Sequence, residues 1–417
     1  MKHIWFISKY SRLPEEGVYP ARSFSILRAM ARRGYDCTLI TARHDWPRNG
    51  GVSIPGRQVA MIDGVRVVTL NVLGYHRTKS LRRVIGWLHF EARLLFMRVG
   101  DLPKPDVVIA SSLSLLSILN GLLLKFRRGC LLVFEVRDIW PLILTENGGF
   151  SRYNPFVLAL GMVERLGYMY SDRIVGTMPG LGAHVRQVLG HQKDVACIPM
   201  GVPEELISDE GAEFPKDLEE IFPKAKFVVT HAGSIGIDNA LDTLIAAARL
   251  LKDEEGIAFF IVGKGDLAAG YKARCADLPR VVFADPVPNR CVQPVLRRST
   301  ALYFAAHPTV VFDYGQSLNK LIDYMYSGRP VLGSYSGLPS MIDEAACGEF
   351  VPAGDVQALV RAIRDWAERP SAELDSMGAR GRAWVLSSRS YDRLADDYLA
   401  LLVSSNPPST VCDDRIA

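Results

Sequence analysis

The stretch GQSLNKLIDYMYSGRPVL, residues 315–332, reads as a short helix that runs into a strand. Ser317 suits an N-cap, and Gly328 followed by Pro330 suits a stop. Lys320 falls in the first turn, where the helix dipole disfavours a cation. A bound anion at that helix end would remove the conflict. A helix feeding a short apolar strand is one beat of an α/β rhythm, and the same beat recurs along the chain.

Upstream, HIWFI (3–7), DCTLITA (36–42), VRVVTL (65–70), DVVIAS (106–111), CLLVFEV (130–136) and RIVGT (173–177) read as strands, and ARSFSILRAMARR (21–33) as a helix. Strands apolar on both faces, alternating with helices, indicate a parallel sheet covered on both sides. The rhythm restarts at FVVTHAG (227–233). A helix over 240–252 follows, then strands at 257–263, 281–285, 301–306, 330–333 and 348–353, and helices near 355–368 and 390–403. The expected fold class is α/β, with two Rossmann-like doubly wound domains facing a cleft. The joint falls near CIPMGVPEELISDEGAEFP (197–215), dividing the chain into 1–200 and 201–387. In open sheets of this kind ligands bind at the carboxyl ends of strands.

Composition narrows the class. The chain has 417 residues, 48% hydrophobic and 23% charged, enough for two ordinary cores. Its seven cysteines include no C-x-x-C pair, and a reducing, cytoplasmic setting is expected. A net charge of +4 is no footprint for nucleic acid. MKHIWFISKY is too short and too quickly polar for a signal peptide, and no apolar run is long enough for a spanning helix.

Asn319 and Asp323 are four apart and share a helical face. The free N–H groups of residues 318 to 320, Leu318 included, form an anion site with the positive end of the dipole. Lys320 adds a full charge there, while Ser317 and Asn319 add donors. A carboxylate one turn deeper, at Asp323, suits a ribose diol, so a nucleoside diphosphate is the matching ligand. The plain alternative is a capped surface helix with Asp323 in an ordinary ion pair.

These residues carry a resemblance. Gly315, Ser317, Asn319, Lys320, Leu321, Asp323, Tyr324, Met325, Gly328, Pro330 and Val331 fall where the donor-binding motif of GT-B retaining glycosyltransferases of family four has them. The pattern is similar to the bacterial subgroup that adds N-acetylated sugars in O-antigen and capsule assembly, the L-fucosamine transferase type. FEVRDIWPLIL (134–144) resembles that subgroup's R-D-x-W-P segment. There Arg137 stands where many relatives place a histidine; it cannot act as a base, but it can hold a diphosphate oxygen bidentately. Asp138 beside it would bond a sugar hydroxyl or accept the acceptor's proton, and Trp140 lies on the acceptor side. In HAGSIGIDNALDTLI, Gly233, Ser234 and Gly236 form a phosphate-approach loop, or simply a tight turn. Gly263 and Gly265 of IVGKGDL permit close approach to a base. In SRLPEEGVYPARS, Gly17 and Arg22 would meet the diphosphate and the entering acceptor; a mobile loop is the alternative.

The sequence also departs from the family. The broader pattern has two glutamates separated by seven residues. Here Asp323 takes the second place, and Gly315 stands eight before it. The Arg and Lys that many members carry near 231–245 are missing, which moves the diphosphate load to Lys320 and Arg137. No D-x-D occurs, so the resemblance implies metal-independent transfer with no cofactor beyond the UDP-sugar co-substrate.

KSLRRVIGWLHFEARLLFMR (79–98) reads as one helix with a basic stripe of Arg82, His89 and Arg93. Trp87 and aliphatic side chains cover much of the rest. Such a helix suits an anionic membrane surface, or else a core helix with snorkelling arginines. The resemblance implies a UDP-sugar donor and an undecaprenyl-diphosphate-linked saccharide acceptor. It also implies a peripheral place at the inner face of the cytoplasmic membrane and a closing helix over 388–404 packed back on the first domain; the tail over 405–417 reads as loose from its own sequence. A UDP-sugar 2-epimerase of the same fold, or a non-catalytic nucleotide-sugar binder, is the alternative.

Overall fold

The computed structural model describes residues 2–14, 19–43, 52–54, 56–73, 81–208 and 211–403. Gly17 and the tail expected to be loose lie outside the described residues. The chain divides into two compact units, residues 1–199 with 391–417, and residues 200–390.

In the first unit the strands are β1 (His3–Ile7), β2 (Asp36–Arg43), β3 (Val52–Ile54), β4 (Arg57–Ile62), β5 (Val65–Asn71), β6 (Val107–Ser111), β7 (Leu131–Val136), β8 (Arg173–Gly176) and β9 (Val195–Cys197). They form one sheet in the order β3-β4-β5-β2-β1-β6-β7-β8-β9. All neighbours are parallel except at the β3–β4–β5 edge, where β3 and β4, absent from the sequence reading, add an antiparallel ribbon. The order reverses beside β1, which pairs with both β2 and β6. The helices are α1 (Arg22–Arg32), α2 (Leu81–Leu95), α3 (Ser117–Arg128), α4 (Leu142–Glu146), α5 (Pro155–Tyr170) and α6 (Leu181–Leu189). Against one sheet face, Phe24 and Leu27 of α1 pack on Phe6, Ile109 and Val133. On the other, α5 approaches so closely that a Cβ at Gly167 would stand 2.8 Å from Phe134.

The second unit holds α7 (Glu204–Ser208), α8 (Lys216–Glu219), β10 (Phe227–Ala232), α9 (Asp242–Leu250), β11 (Ile257–Val262), α10 (Ala268–Arg274), β12 (Val281–Ala284), α11 (Asn289–Arg298), β13 (Ala301–Ala305), α12 (Asn319–Ser327), β14 (Val331–Ser334), α13 (Met341–Glu344), β15 (Gly348–Val351), α14 (Val356–Glu368) and α15 (Ser371–Ser388). Its sheet is wholly parallel, in the order β12-β11-β10-β13-β14-β15. The chain winds outward from β10 in one direction and from β13 in the other, so the crevice between their carboxyl ends is a topological switch point. The sequence reading assigned nothing to α15, whose buried Leu374, Met377 and Val385 are too sparse to print a helical period; it packs against α12.

The last helix, α16 (Tyr391–Val403), belongs to the first unit and packs on α1. A buried polar cluster fastens it. Arg22 Nε donates to Glu135 Oε1 at 3.0 Å, Tyr398 donates to the same oxygen at 2.7 Å, and Arg22 also donates to the carbonyls of Ile198 (2.7 Å) and Pro199. Arg22 and Glu135 are essentially inaccessible to water. The expectation that Arg22 meets an acceptor or phosphate is therefore corrected: its guanidinium is spent inside the unit on a carboxylate and two carbonyls. Arg22→Ala should destabilise the chain by about 3–5 kcal/mol, because Glu135 is left charged and unpaired in the interior, whereas Tyr398→Phe should cost about 1–2 kcal/mol; denaturant unfolding of the two variants checks the ranking.

Candidate active site

Three loops leave the carboxyl ends of β10, β11 and β13 at the switch point of the second unit. The first two are zipped together by backbone: Gly233 N–H donates to Val262 O (3.0 Å), and Ile235 N–H to Lys264 O (2.9 Å). Glycine is required for this closeness. Gly263 has φ +150°, and a Cβ there would lie 1.8 Å from Gly233 O; one at Gly265 would lie 2.1 Å from Ile235 O. Gly236 has open space, with Ser234 Oγ as the nearest atom at 3.6 Å.

Helix α12 presents its amino end to these loops. Its cap residue is Leu318, extended and without a side-chain cap hydrogen bond. The expected capping role of Ser317 is thus corrected: its hydroxyl instead accepts the Met200 N–H at 2.8 Å. Leu321 and Ile322 are the first residues to donate back to Leu318 O, which leaves the N–H groups of Asn319 and Lys320 outside the helix's own ladder. Tyr324 pins the helix to the sheet, accepting from Ala232 N at 2.9 Å at the end of β10. Asp323, half-buried, lies one turn in from Asn319, and its carbonyl accepts from the buried Gln293 (3.0 Å).

Lys320 reaches back across the loop after β10. Its Nζ donates to Asn239 Oδ1, and its Cε would stand 3.1 Å from a Cβ at Gly233. Burial pushes the ammonium down to about 8. Behind it His231 is fully buried; burial first, and the Lys320 charge second, push the imidazole down to about 3 and keep it neutral. Gln316 is buried, and neither atom of its amide has a partner among the described residues. Asn239 and Gln316 were not singled out from sequence. Asn239 lies 81 positions from Lys320 and only the fold joins them, but the place of Gln316 beside Gly315, where the family's first glutamate is missing, was a signal.

In the first unit, Arg137 and Asp138 form the turn after β7, both half-buried. Ser112, at the end of β6, holds that turn: its Oγ accepts from Arg137 N (2.9 Å) and donates to Asp138 O (3.2 Å). Trp140 meets Trp87 edge to face, centroids 5.6 Å apart, and Trp87 Nε1 donates to the Tyr10 hydroxyl at 2.6 Å. Trp87 is therefore buried, not on a membrane-facing surface; Arg82 and Arg93 are exposed. Buried Lys9, beside Tyr10, completes this edge and was not anticipated from sequence. Among the described residues no three His, Cys, Asp or Glu side chains are grouped to hold a metal ion.

Gly263→Ala should destabilise the chain by about 1–3 kcal/mol through overpacking at a left-handed position, while Gly236→Ala should stay within about 0.5 kcal/mol; thermal unfolding of the pair separates them.

Comparison with known proteins agrees with this architecture. Residues 21–201 match the family described as "Glycosyl transferase 4-like domain", and residues 226–369 match "Glycosyl transferases group 1". No curated protein sequence matches the chain. Among solved structures, the sucrose-phosphate synthase of Thermosynechococcus elongatus superposes with a TM-score of 0.70 at 17% identity, covering 96% of this chain and 98% of its own. The E. coli structure described as "Trehalose-6-phosphate … bound with UDP-2-fluoro glucose" gives 0.69 at 11% identity, covering 97% and 100%. Anabaena HepE, in a complex with UDP-glucose, gives 0.64 at 13% identity, covering 96% and 99%. At these identities the likeness concerns the fold, two Rossmann-like units of the GT-B type. The two family matches together span more than three quarters of the sequence, and the chain belongs to the group 1 glycosyltransferases with a GT4-like amino-terminal domain.

Proposed function

We propose that this glycosyltransferase moves a sugar, an N-acetylated hexosamine or deoxyhexosamine, from a UDP-sugar to a lipid-diphosphate-linked saccharide of O-antigen, capsule or exopolysaccharide assembly. The observation that carries the donor reading is Lys320, a half-buried cation in the first turn of α12 against the Gly233 loop. A diphosphate at the helix tip supplies the missing counter-charge. The ribose then lies toward Asp323, and the base lies along the Gly263–Gly265 backbone. Two of the superposing structures, the E. coli protein and HepE, were solved with UDP-sugars, which supports the donor class. Ser234, Gly236, Ser317, Leu318 and Asn319 line the same donor position in this reading. Gln316 offers its unbonded amide to the transferred sugar.

In the front-face mechanism that follows, the bond from the anomeric carbon to the diphosphate oxygen breaks as the acceptor hydroxyl attacks from the same side. The acceptor's proton passes to the departing oxygen, and configuration is retained. Lys320 and the helix tip stabilise the charge that develops on the diphosphate, with no metal. Arg137 takes a further diphosphate oxygen; Asp138 and Trp140 serve the acceptor. The acceptor's lipid places the protein peripherally at the inner face of the cytoplasmic membrane, with the exposed Arg82 and Arg93 of α2 toward it. Among the described residues no helix is long and apolar enough to cross a membrane.

Lys320→Ala should lower kcat for transfer by about 10²–10³ with the fold intact, as for removal of one preorganised charge-stabilising donor. Incubation with UDP-sugars and a diphospholipid acceptor reads this, and full activity in the variant would sink the assignment; isomerisation without acceptor would point to an epimerase. The lowered Lys320 ammonium also sets a pH dependence. It is charged below about 8 and neutral above, so UDP affinity should fall roughly tenfold between pH 7 and 9, and the fall should vanish in Lys320→Met; calorimetric titration across that range measures both.

A further inference from the structure

Helix α5 is apolar on both sides. One side, with Val157, Leu160 and Tyr168, packs inward. On the other, Leu158, Met162, Leu166 and Met169 repeat at helical spacing, 53%, 64%, 39% and 40% exposed. A helix with apolar residues all round is normally covered all round, and this one is covered on one side only. The stripe continues onto the neighbouring α3, where Phe126, 70% exposed, meets the ring of Tyr170 at 6.5 Å.

Charge selects the occupant. Arg127, Arg128 and Arg165 are exposed beside the stripe, and the Lys193 ammonium sits on the carbonyls that end α5. Helix α3 contains no acidic residue. The one acid of α5, Glu164, is buried and taken up by His184 (2.7 Å) and Tyr168 (3.1 Å). The one acid of α2, which adjoins α3, is Glu91, held by Ser117 and Asn120 at 2.7 Å each. The outer surface of this helix layer is therefore apolar and cationic: the carboxylates of the helices themselves turn inward, and Asp172 just past α5 is neutralised by Lys125 at 2.7 Å. A second copy of the chain would bring the same cations against themselves across a two-fold axis. An anionic bilayer leaflet satisfies both halves of the surface at once: headgroups meet the cations, and the side chains of α5 enter the acyl boundary.

We infer that the outer faces of α3 and α5 form a docking surface for an anionic lipid bilayer. This deepens the membrane placement proposed above, which it rests on, by naming the surface that meets the lipid; docking is measured without donor or acceptor, so its failure is distinguishable from a failure of the donor site.

The test is co-sedimentation of the full chain with vesicles of phosphatidylcholine, alone or mixed with phosphatidylglycerol. Binding should be at least about tenfold tighter to the mixed vesicles and should weaken with salt. The double variant Met162→Asp/Leu166→Asp should lose about tenfold or more of that binding, with circular dichroism and the thermal midpoint unchanged, since both positions face water. Arg127→Ala/Arg128→Ala should keep the fold and lose the preference for the anionic lipid. The inference is overturned if the wild-type chain stays in the supernatant with both vesicles, or if the aspartate variant binds as well as wild type. It is equally overturned if sedimentation velocity shows a dimer that the aspartate variant dissolves, for then a second copy covers the face. Loss of transfer with lipid binding intact would count against the donor site and leave this surface standing.

Discussion

A half-buried cation at the positive end of a helix is an unfavourable arrangement on its own, and the second unit is built to keep it. Burial lowers the affinity of Lys320 for its proton, and the unpaired N–H groups of the first turn add to the repulsion. The side chain could swing into solvent, yet it is held to Asn239 over a glycine loop with no room for more. Tyr324 fixes the helix to the end of β10, so the charge cannot be relieved by a shift of the helix. In the proposed reading an anion relieves it, bound at the switch point of the sheet, where strand ends are reached from two directions.

The first unit rests on a different constraint. Its sheet is crossed by a segment that must return after some 190 intervening residues, and α16 is held there by Arg22, Glu135 and Tyr398. An interior ion pair of this kind adds little net stability compared with apolar packing, but it is intolerant of partial loss. It therefore acts as a register: the chain emerges at Ile198 and Pro199, and re-enters at Tyr391, in one arrangement that satisfies every partner. Arg22, which the sequence reading placed at the phosphates, is thus part of the frame behind the turn at Arg137 and Asp138.

Most strands were legible because they are short apolar runs bounded by glycine, proline or charge, and those read begin and end within a residue or two of the expected limits; β9, three half-buried residues, was too short to read. The β3–β4 ribbon and α15 were not legible, the first because its residues are mixed in polarity, the second because its apolar positions are thinly spread. At the candidate site, the motif over 315–332 showed Lys320, Asn319 and Asp323 on one helix, since a helix joins residues three and four apart. Ser317 misled, because a serine before a helix caps it only when no other donor claims the hydroxyl, and Met200 does.

By itself the sequence determined the α/β rhythm, the place of helix α12 and the glycine turns after β10 and β11, all of which depend on neighbours along the chain. Only the tertiary structure decided that Asn239 holds Lys320, that Arg22 is an interior tie, that Trp87 turns inward to Tyr10 and Trp140, and that α5 leaves an apolar face uncovered. Hydrogen-bond partners and exposure are set by residues tens to hundreds of positions away, and no local pattern records which of several polar groups a folded chain will bring within reach.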